Sequence, residues 1–368
     1  MIEQDIGIGI VGLGGMGQLH ASNMREEGAE IVAGADLVPE KREQFGLEFD
    51  AETYDSHEAL VADADVDAVV VTTPNKFHEP ISVVALEAGH HVLVEKPLAH
   101  TLESAERLAR VAEDAEGICM VGFHNRHAAS STMFDAYKAD GRFGELTHVE
   151  ANYVRRRGVP GPGSWFTNPD LAGGGALLDI GVHAIDLALY TLDFPEVIEV
   201  SGVARTTFGT DEDYADPDGF GSNWNAEAET YEVDDSVTAL IRCAGGQTIS
   251  LEAGWATNRE SSMEFHVRGT EAGAQFEIGD SDLRIIGAST AGCDHYADAE
   301  LTGDASVTGH YEQDRRFLET IETGVEPTTN TIEEALTVQR VIDAIYRSSE
   351  GGRSVSLESE AEPVQRTN

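Results

Sequence analysis

Short apolar runs alternate with segments of helical character along the first third of the chain. The apolar runs are rich in β-branched residues and read IGIGIVG, EIVAGAD, VDAVVVTT, HHVLVE and ICMVGF. Strands that are apolar on both faces are typical of a parallel sheet that crossover helices cover on both sides. The pattern therefore predicts a doubly wound α/β domain over residues 1–123.

The pattern changes after about residue 145, where longer strands alternate apolar and polar positions. These strands read LTHVEANYVRR, VIEVSGVARTTF, SVTALIRCA, QTISLEAGWA and MEFHVRG. Such alternation predicts a mostly antiparallel sheet with one face exposed or covered by a partner. One apolar helix, GGGALLDIGVHAIDLALYTL, interrupts the strands, and two further helices follow them. We therefore predict a second, α+β domain over residues 124–368.

An irregular acidic insert, residues 209–233, breaks the series of strands. It is longer than the roughly 15 residues beyond which structureless loops become uncommon, so it is either a lid or a decoration suited to high salt. Its DPDG segment does not continue into the ligand spacing of a calcium loop, so no metal is assigned to it.

Composition limits the partners of this protein. The chain has 67 acidic and 24 basic residues, and its formal net charge of −43 is spread from end to end. At molar salt the screening length falls to about 3 Å, so such a surface stays hydrated without strong self-repulsion. We therefore predict a halophilic protein. Nucleic acid is not a predicted partner, because phosphate binding needs patches of lysine and arginine.

Neither export nor a membrane partner is predicted. The first apolar run has no basic segment before it and leads into a glycine loop, as a strand does and a signal peptide does not. No apolar run approaches the roughly 18 residues of a membrane span. Three widely spaced cysteines, Cys119, Cys243 and Cys293, indicate neither a disulfide framework nor a metal site. The predicted location is the cytoplasm.

The loop GLGGMG places Gly12, Gly14 and Gly17 in the G-x-G-x-x-G spacing, and Met16 lies within it. Alone this spacing is weak evidence, because glycine-rich turns are common. Here it follows a predicted strand and opens a predicted helix, so the backbone can approach a pyrophosphate at the helix N-terminus. The first domain is therefore predicted to be a dinucleotide-binding Rossmann domain, with these four residues at the cofactor.

Asp36 ends the second apolar run, 19 residues after Gly17. A carboxylate at this position can accept hydrogen bonds from ribose hydroxyls and repel a 2′-phosphate, which favours NAD over NADP. Lys41 and Arg42 nearby keep NADP possible. The alternative interpretation is an aspartate that caps a helix.

Two further segments end strands at the edge where ligands of such sheets bind. The segment VVVTTPNKFHEP supplies polar side chains that can line the cofactor, although a capped turn before a helix explains them equally well. Glu95 of the segment VEKP is included with them as a cofactor contact. The predicted contacts from these segments are Thr73, Pro74, Asn75, His78 and Glu95.

Lys96 directly follows the strand VLVE, although the whole chain has just four lysines. A salt-adapted surface tends to discard lysine, so one retained at a strand end indicates a function. A buried ammonium can donate hydrogen bonds to a substrate oxygen and favour a developing alkoxide. We predict that Lys96 contacts both cofactor and substrate. The alternative interpretation is a salt bridge to Glu95.

The apolar helix carries Asp179 and His183 at positions i and i+4, so a regular α-helix would place both on one face. Histidine titrates near neutrality and can take a hydroxyl proton, and a nearby carboxylate can orient it or bind a neighbouring hydroxyl. Asp186 continues the same stripe. A zinc pair would need a third ligand that the sequence does not supply, so no metal is predicted. Taken alone, such a polar pair is more often structural.

Together GLGGMGQLH, TTPNKFH, EKP and GGGALLDIGVHAIDLALY resemble the Gfo/Idh/MocA family of oxidoreductases, which includes inositol dehydrogenases and glucose-fructose oxidoreductase. The resemblance runs in order over nearly the whole chain. It implies a Rossmann domain followed by a domain with an open sheet whose face commonly forms a subunit interface, hence a homodimer or homotetramer. It also implies that Lys96 is catalytic and binds substrate, that Asp179 binds substrate hydroxyls, and that His183 is the general acid/base.

The segment ANYVRRRGVPGPGSWFTNPDLAGGG resembles the family's substrate-facing strand and loop. Tyr153, Arg155 and Arg157 alternate on one strand face and can bind a substrate; pairing with acidic neighbours or a second subunit is an equal alternative. Trp165 can lie against a sugar ring or pack in the core. We include Tyr153, Arg155 and Trp165 in the predicted substrate site.

These features predict a cytoplasmic NAD(P)-dependent dehydrogenase that oxidises a secondary alcohol of a sugar, sugar derivative or cyclitol. A second hypothesis is a redox-neutral enzyme with tightly bound NAD, either a sugar oxidoreductase or a glycosidase that acts through a keto intermediate. A third is a nucleotide- or sugar-sensing regulator without catalysis, although such a protein would not need Lys96, Asp179 and His183 together.

Overall fold

The computed structural model describes residues 6–161, 164–211, 213–220, 231–306 and 308–357. It contains a six-stranded parallel sheet and a ten-stranded sheet that is mostly antiparallel. This architecture confirms the predicted fold class, a Rossmann doubly wound sheet followed by an α+β part with a large open sheet. The domain boundary between residues 123 and 124 stays a prediction.

Strands and helices alternate through the first part of the chain. Their bounds are β1 Gly7–Val11, α1 Gly15–Glu27, β2 Glu30–Ala35, α2 Pro39–Phe49, β3 Glu52–Tyr54, α3 His57–Asp63, β4 Ala68–Val71, α4 His78–Glu87, β5 His91–Glu95, α5 Leu102–Asp114 and β6 Cys119–Gly122. The strand order is β3-β2-β1-β4-β5-β6, and every neighbouring pair is parallel. The chain reverses its winding at β1, so a ligand crevice is expected at the carboxyl ends of β1 and β4.

The second part of the chain builds the larger sheet and the helices that cover it. Its elements are α6 Ala129–Ala139, β7 Leu146–Val154, α7 Pro169–Ala172, α8 Val182–Thr191, β8 Val197–Arg205, β9 Ser236–Cys243, β10 Thr248–Gly254, β11 Glu264–Gly269, β12 Ala272–Glu277, β13 Asp282–Ser289, β14 His295–Tyr296, β15 Ala299–Thr302, α9 Gly309–Thr323, α10 Ile332–Gly351 and β16 Val355–Ser356. Helices α8 and α10 pack against this sheet through apolar side chains. The strands β12 to β15 were not predicted, because their glycines and polar residues weaken the alternation.

The helical stretch Pro169–Thr191 is long and apolar enough to cross a membrane by length and composition alone. However, 83% of its most apolar window is buried inside the protein. It therefore packs as the core helix of a soluble protein does.

This stretch is not the single regular α-helix that the sequence predicted. It bends at the three glycines 173–175 and continues as a π-helical turn, Leu177–Gly181, before α8 begins. The carboxylate of Asp234 accepts hydrogen bonds from the backbone N–H groups of Gly175 and Leu177, each at 2.9 Å. A Cβ atom at Gly175 would lie 1.8 Å from the carbonyl oxygen of Asp234, so this close approach requires glycine. The prediction of an i and i+4 pair on a regular helix was wrong in this respect.

A buried cluster of ionisable groups joins α1, β5 and α9. His20 on α1 is fully buried, with Nδ1 2.7 Å from Asp314 Oδ1 and Nε2 3.0 Å from Glu95 Oε1. Burial disfavours the imidazolium, but the charges and hydrogen bonds of Asp314 and Glu95 outweigh burial and raise the pKa of His20 to about 10. The cluster therefore holds a charged histidine between two carboxylates, and it ties helix α9 to the parallel sheet.

We expect His20→Gln to lower the free energy of unfolding by about 3–5 kcal/mol below pH 6.5, because it leaves two buried carboxylates without their cation. Since folding raises the pKa of His20, the contribution of His20 to stability is fully present below 6.5, the pKa in the unfolded chain. This contribution is lost as pH rises through about 10, the pKa in the folded protein. The difference in the free energy of unfolding between variant and wild type should therefore become smaller as the pH rises across this range, and urea unfolding at both ends of it measures the change.

The matched control is His57→Gln, whose imidazole contacts the exposed carboxylate of Glu58. An exposed pair of this kind contributes roughly 0–1 kcal/mol, so this variant should unfold nearly as the wild type does. Equal destabilisation by His20→Gln at both pH values would contradict the buried imidazolium.

Candidate active site

A cavity of about 350 Å³ lies where the carboxyl ends of the parallel strands face the π-helical turn. It brings together residues predicted from five separate segments of the chain. The predicted site residues that line it are Met16, Thr73, Asn75, His78, Glu95, Lys96, Tyr153, Arg155, Trp165, Asp179 and His183. A larger surface hollow, of about 580 Å³ beside α4 and α5, contains none of them.

Lys96 reaches across the cavity to the π-helical turn. Its Nζ lies 3.0 Å from the carbonyl oxygen of Asp179 and 3.4 Å from Asp179 Oδ1. The salt bridge to the side chain of Glu95, considered from the sequence, is not formed; the Glu95 carboxylate instead accepts the backbone N–H of Lys96 and contacts His20. Because an ammonium has three N–H donors, Lys96 keeps one for a ligand in the cavity.

Asp179 is held from a second side by a residue that the sequence did not reveal. The indole Nε1 of Trp255 donates to Asp179 Oδ2 at 2.9 Å, and the Trp255 side chain is fully buried. The only sequence signal was its place at the end of the predicted strand QTISLEAGWA. With Lys96 on one oxygen and Trp255 on the other, the carboxylate has a defined orientation.

His183 lies almost fully buried in the same cavity, 7% exposed. Burial, followed by the positive charge of Lys96, lowers its pKa well below the usual value, so the imidazole is neutral at neutral pH. Its Nδ1 lies 3.1 Å from the Asn125 side-chain amide. A half-turn of that amide would present its oxygen to an Nδ1–H group, which would leave Nε2 free to accept a proton.

Two more histidines that the sequence did not reveal line this cavity. The rings of His124 and His310 stack with centroids 3.5 Å apart, and His124 meets the ring of His183 edge-on at 5.1 Å. Burial lowers the pKa of both His124 and His310. No motif marked them, because they lie in separate segments that only the packing of α9 brings together.

The glycine loop has the features that a dinucleotide pyrophosphate requires. Helix α1 begins after Gly14 without a side-chain cap and without an acidic residue in its first turn. A Cβ atom at Gly14 would meet nothing within 4 Å, so the space in front of the helix is open. A Cβ atom at Gly17 would lie 2.1 Å from the carbonyl oxygen of Gly12, so glycine is needed for the helix to approach the loop. The loop therefore fits an anionic group at the helix N-terminus.

Asp36 lies at the end of β2 and contacts both this loop and the start of α2. Its carboxylate accepts the backbone N–H groups of Leu13 and Val38, both at 2.9 Å. Lys41 Nζ lies 3.5 Å from the carboxylate, and Arg42 donates to the Asp36 carbonyl at 2.7 Å. Asp36 thus supports the loop, and its neighbours carry the positive charge that leaves NADP possible.

The turn after β4 is fixed by its own polar side chains. The ring nitrogens of His78 lie 2.8 Å and 2.9 Å from the carbonyl oxygens of Pro97 and Thr73, and Asn75 donates to the carbonyl of Ala172 at 2.9 Å. Pro74 immediately precedes this short 3₁₀ turn and does not line the cavity. These bonds account for the turn. That Thr73, Pro74, Asn75 and His78 contact a cofactor stays a prediction.

Aromatic side chains form part of the cavity wall. Trp165 stacks on Phe166 with ring centroids 3.9 Å apart, and the ring of Tyr153 lies 6.2 Å from that of His183. Arg157, by contrast, donates to the carbonyl oxygens of Ala215 and Thr257 and does not line the cavity. Sugar rings commonly pack against aromatic side chains through their C–H faces, so this wall suits a sugar.

Within the described residues, no group of three or more histidine, cysteine, aspartate or glutamate side chains is arranged to hold a metal ion. The acidic insert contacts the cavity wall, because the ring of Phe220 lies 4.7 Å from the guanidinium carbon of Arg155. Residues 212 and 221–230 of the insert lie outside the described residues.

Comparison with known proteins places this site in a family. A model described as the oxidoreductase family with NAD-binding Rossmann fold matches residues 6–123, and a model of the GFO/IDH/MocA C-terminal domain matches residues 135–275. The D-glucoside 3-dehydrogenase of Escherichia coli (strain K12) is 30% identical over 362 residues, which cover 97% of this chain and 99% of the relative.

Two comparisons with levoglucosan dehydrogenases agree with this assignment. The enzyme of Pseudarthrobacter phenanthrenivorans is 30% identical over 292 residues, 74% of each chain. A solved structure of levoglucosan dehydrogenase in complex with NADH and levoglucosan has a TM-score of 0.84 at 23% identity, covering 97% of this chain and 100% of that one, which shows the shared fold. The chain belongs to the Gfo/Idh/MocA family of oxidoreductases, and its first domain is an NAD-binding Rossmann domain.

Proposed function

We propose that this oxidoreductase uses NAD to oxidise a secondary alcohol of a sugar, sugar derivative or cyclitol. The observation that carries the proposal is the convergence of Lys96, Asp179 and His183 on one cavity with Met16 of the glycine loop. The relatives that act on glucosides and levoglucosan support the substrate class. The aromatic wall of Trp165 and Phe166 is suited to the apolar face of a sugar ring.

In this proposal His183 takes the proton of the substrate hydroxyl at Nε2, because its imidazole is neutral and Asn125 holds its other nitrogen. The Lys96 ammonium donates a hydrogen bond to the same oxygen and stabilises the negative charge that develops there. Asp179 holds that ammonium in place and can bind a neighbouring hydroxyl. A bound nicotinamide would supply the hydride acceptor.

The choice of cofactor follows from Asp36. Its carboxylate stands at the end of β2, where it disfavours a 2′-phosphate, and we propose NAD as the preferred cofactor. Lys41 and Arg42 beside it support a residual use of NADP. The cofactor contacts proposed for Thr73, Pro74, Asn75, His78 and Glu95 belong to the same hypothesis.

We also propose a cytoplasmic, halophilic enzyme that assembles as a homodimer or homotetramer, without nucleic-acid or membrane partners. The net charge of −43 supports the adaptation to salt. Residues 1–123 would form the cofactor domain and residues 124–368 the domain for substrate and assembly. The outer face of the large sheet is the surface proposed for assembly.

Lys96→Met should lower kcat/KM for the sugar by roughly 10²- to 10⁴-fold with little change in the Kd for NAD, because the lost interaction forms at the reacting oxygen. His183→Ala should show a loss of the same order. Initial rates from reduced-nicotinamide absorbance, in molar potassium chloride with a panel of sugars, cyclitols and glycosides, measure both effects.

The matched control is Lys76→Met, which removes the same charge from an exposed position next to the cofactor turn. It should retain the wild-type rate. A Lys96→Met enzyme as active as this control would show that the ammonium has no part in the reaction.

The pH dependence of oxidation should show an acid limb below pH 6.5, because the base form of His183 persists down to its lowered pKa. After burial, the charge of Lys96 is the next cause of that lowering, so Lys96→Met should raise the pKa of His183 and move the limb to higher pH. Histidine NMR titration of the free enzyme gives the same shift independently of turnover. A limb unmoved by the variant would argue against His183 as the titrating base.

Asp36→Asn should raise the ratio of kcat/KM with NADP to that with NAD on the order of tenfold, or about 1.4 kcal/mol, because it removes a charge that repels the 2′-phosphate. The amide oxygen can still accept the Leu13 N–H group. Glu40→Gln, an equal loss of charge at an exposed position on α2, is the control and should leave the ratio unchanged. Cofactor titrations with one fixed sugar measure the ratio.

A further inference from the structure

Arg155 is set apart from the other unpaired cations by its place in the cavity wall. It is half-buried in the cavity wall, and no carboxylate of the described residues forms an ion pair with it. Several other lysines and arginines of the described residues also lack an ion pair, but most of them are exposed and none of them lines the cavity. Such a group at a ligand cavity is available to a ligand.

Two aromatic rings contact the guanidinium of Arg155. Its central carbon lies 5.6 Å from the ring centroid of Tyr153 and 4.7 Å from that of Phe220. Contacts of this kind stabilise a cation over the face of a ring without using its N–H donors. No side-chain hydrogen bond from Arg155 is formed within the described residues, so its planar fork of donors remains available. That fork matches the geometry of a carboxylate or phosphate.

The position of Arg155 relative to the reacting group is equally specific. The ring of Tyr153 is close to both groups, 6.2 Å from the ring of His183 and 5.6 Å from the guanidinium carbon of Arg155. Because His183 and Arg155 line the same cavity beside one tyrosine, a ligand with a hydroxyl at His183 can place a second group near Arg155.

The neighbouring arginines show that this arrangement is particular to one position. Arg157 donates to three backbone carbonyl oxygens and to the Asn258 side chain, so its donors are used within the protein. Arg156 is exposed and lies outside the cavity. Among these three, Arg155 alone lines the cavity, and its side chain donates no hydrogen bond to any residue that the structure describes.

We propose that the substrate is a sugar bearing an anionic group, a carboxylate or a phosphate ester, and that Arg155 binds this group. The proposal rests on the sugar oxidation proposed above and names the class of sugar. Lys96 and His183 then act on one hydroxyl, while Arg155 fixes the opposite end of the ring through a bidentate pair. This arrangement would set both the orientation of the sugar and the choice among hydroxyls.

The test compares neutral and charged sugars in matched pairs, with glucose against glucuronate for the carboxylate and glucose against glucose 6-phosphate for the phosphate. Hydrogen bonds to a charged group should give the wild type a kcat/KM about 10- to 100-fold higher for one charged member. Arg155→Gln should lower that value about 10- to 100-fold more than the value for glucose. The pair that shows the preference identifies the anion.

Arg156→Gln is the matched control, since it removes the same charge from the next residue along the chain. It should leave the preference for the charged sugar in place. The proposal would be overturned if kcat/KM of the wild type for glucose equalled or exceeded the values for both charged sugars. It would also be overturned if Arg155→Gln lowered kcat/KM by the same factor for glucose and for the preferred charged sugar. A change in sedimentation without a change in preference would assign Arg155 to a subunit contact and would also overturn it.

A binding measurement separates this proposal from the proposed function. If no sugar is oxidised, the sugar-dehydrogenase hypothesis fails for these compounds, but the thermal stability of the NAD-loaded protein still reports binding. Greater stabilisation by glucuronate or glucose 6-phosphate than by glucose, abolished in Arg155→Gln and kept in Arg156→Gln, would support the anion site. Equal stabilisation by all three compounds would reject it.

Discussion

The contact between Lys96 and the π-helical turn is the interaction on which the rest of the site depends. The ammonium lies 3.0 Å from the Asp179 carbonyl, so the end of β5 in the parallel sheet is bonded directly to the segment that carries His183. The adjacent residue, Glu95, extends to His20 and through it to α9. Two consecutive residues therefore tie the nucleotide-binding edge to both the substrate side and the C-terminal helices.

This arrangement separates charges that are fixed from groups that can change protonation. Burial would raise the pKa of Glu95, yet the hydrogen bond and charge of His20 outweigh it and lower the pKa to about 2, so this carboxylate stays ionised. His183 has the opposite behaviour, since burial and nearby positive charge keep it neutral. A neutral base beside a fixed ammonium is what proton removal from a hydroxyl requires, because the base is free to accept and the developing oxyanion has a cation at hand.

The parallel sheet and many of the cavity residues could be predicted from sequence because their signals are local. Apolar runs mark strands that are buried on both faces, and their carboxyl ends meet at one edge whatever the rest of the chain does. The signals for Lys96 and the glycine loop have this character. Trp255, His124 and His310 have no such signal, since their place in the cavity arises from contacts between elements far apart in the chain.

The shape of the segment that carries Asp179 and His183 was also beyond local inference. Its π-helical turn begins where Asp234, 59 residues from Gly175, accepts two backbone N–H groups. A spacing of i and i+4 indicated that the two side chains share a face, and the structure does bring both to one cavity, but through a wider turn. Local pattern thus predicted which residues meet, while a distant carboxylate determines the backbone path by which they do.

The site is insulated from the acidic surface that surrounds it. At molar salt the screening length is about 3 Å, so surface carboxylates exert little field at a distance, whereas buried pairs are screened much less. The contacts that orient the site lie within 3.4 Å and involve side chains that are mostly or wholly buried, such as His20 and Lys96. Changes in surface charge should therefore have little effect on these short-range contacts at high salt. An oxidoreductase site of this type is suited to a strongly acidic chain because its essential charges are paired at short range and do not rely on the field of the whole protein.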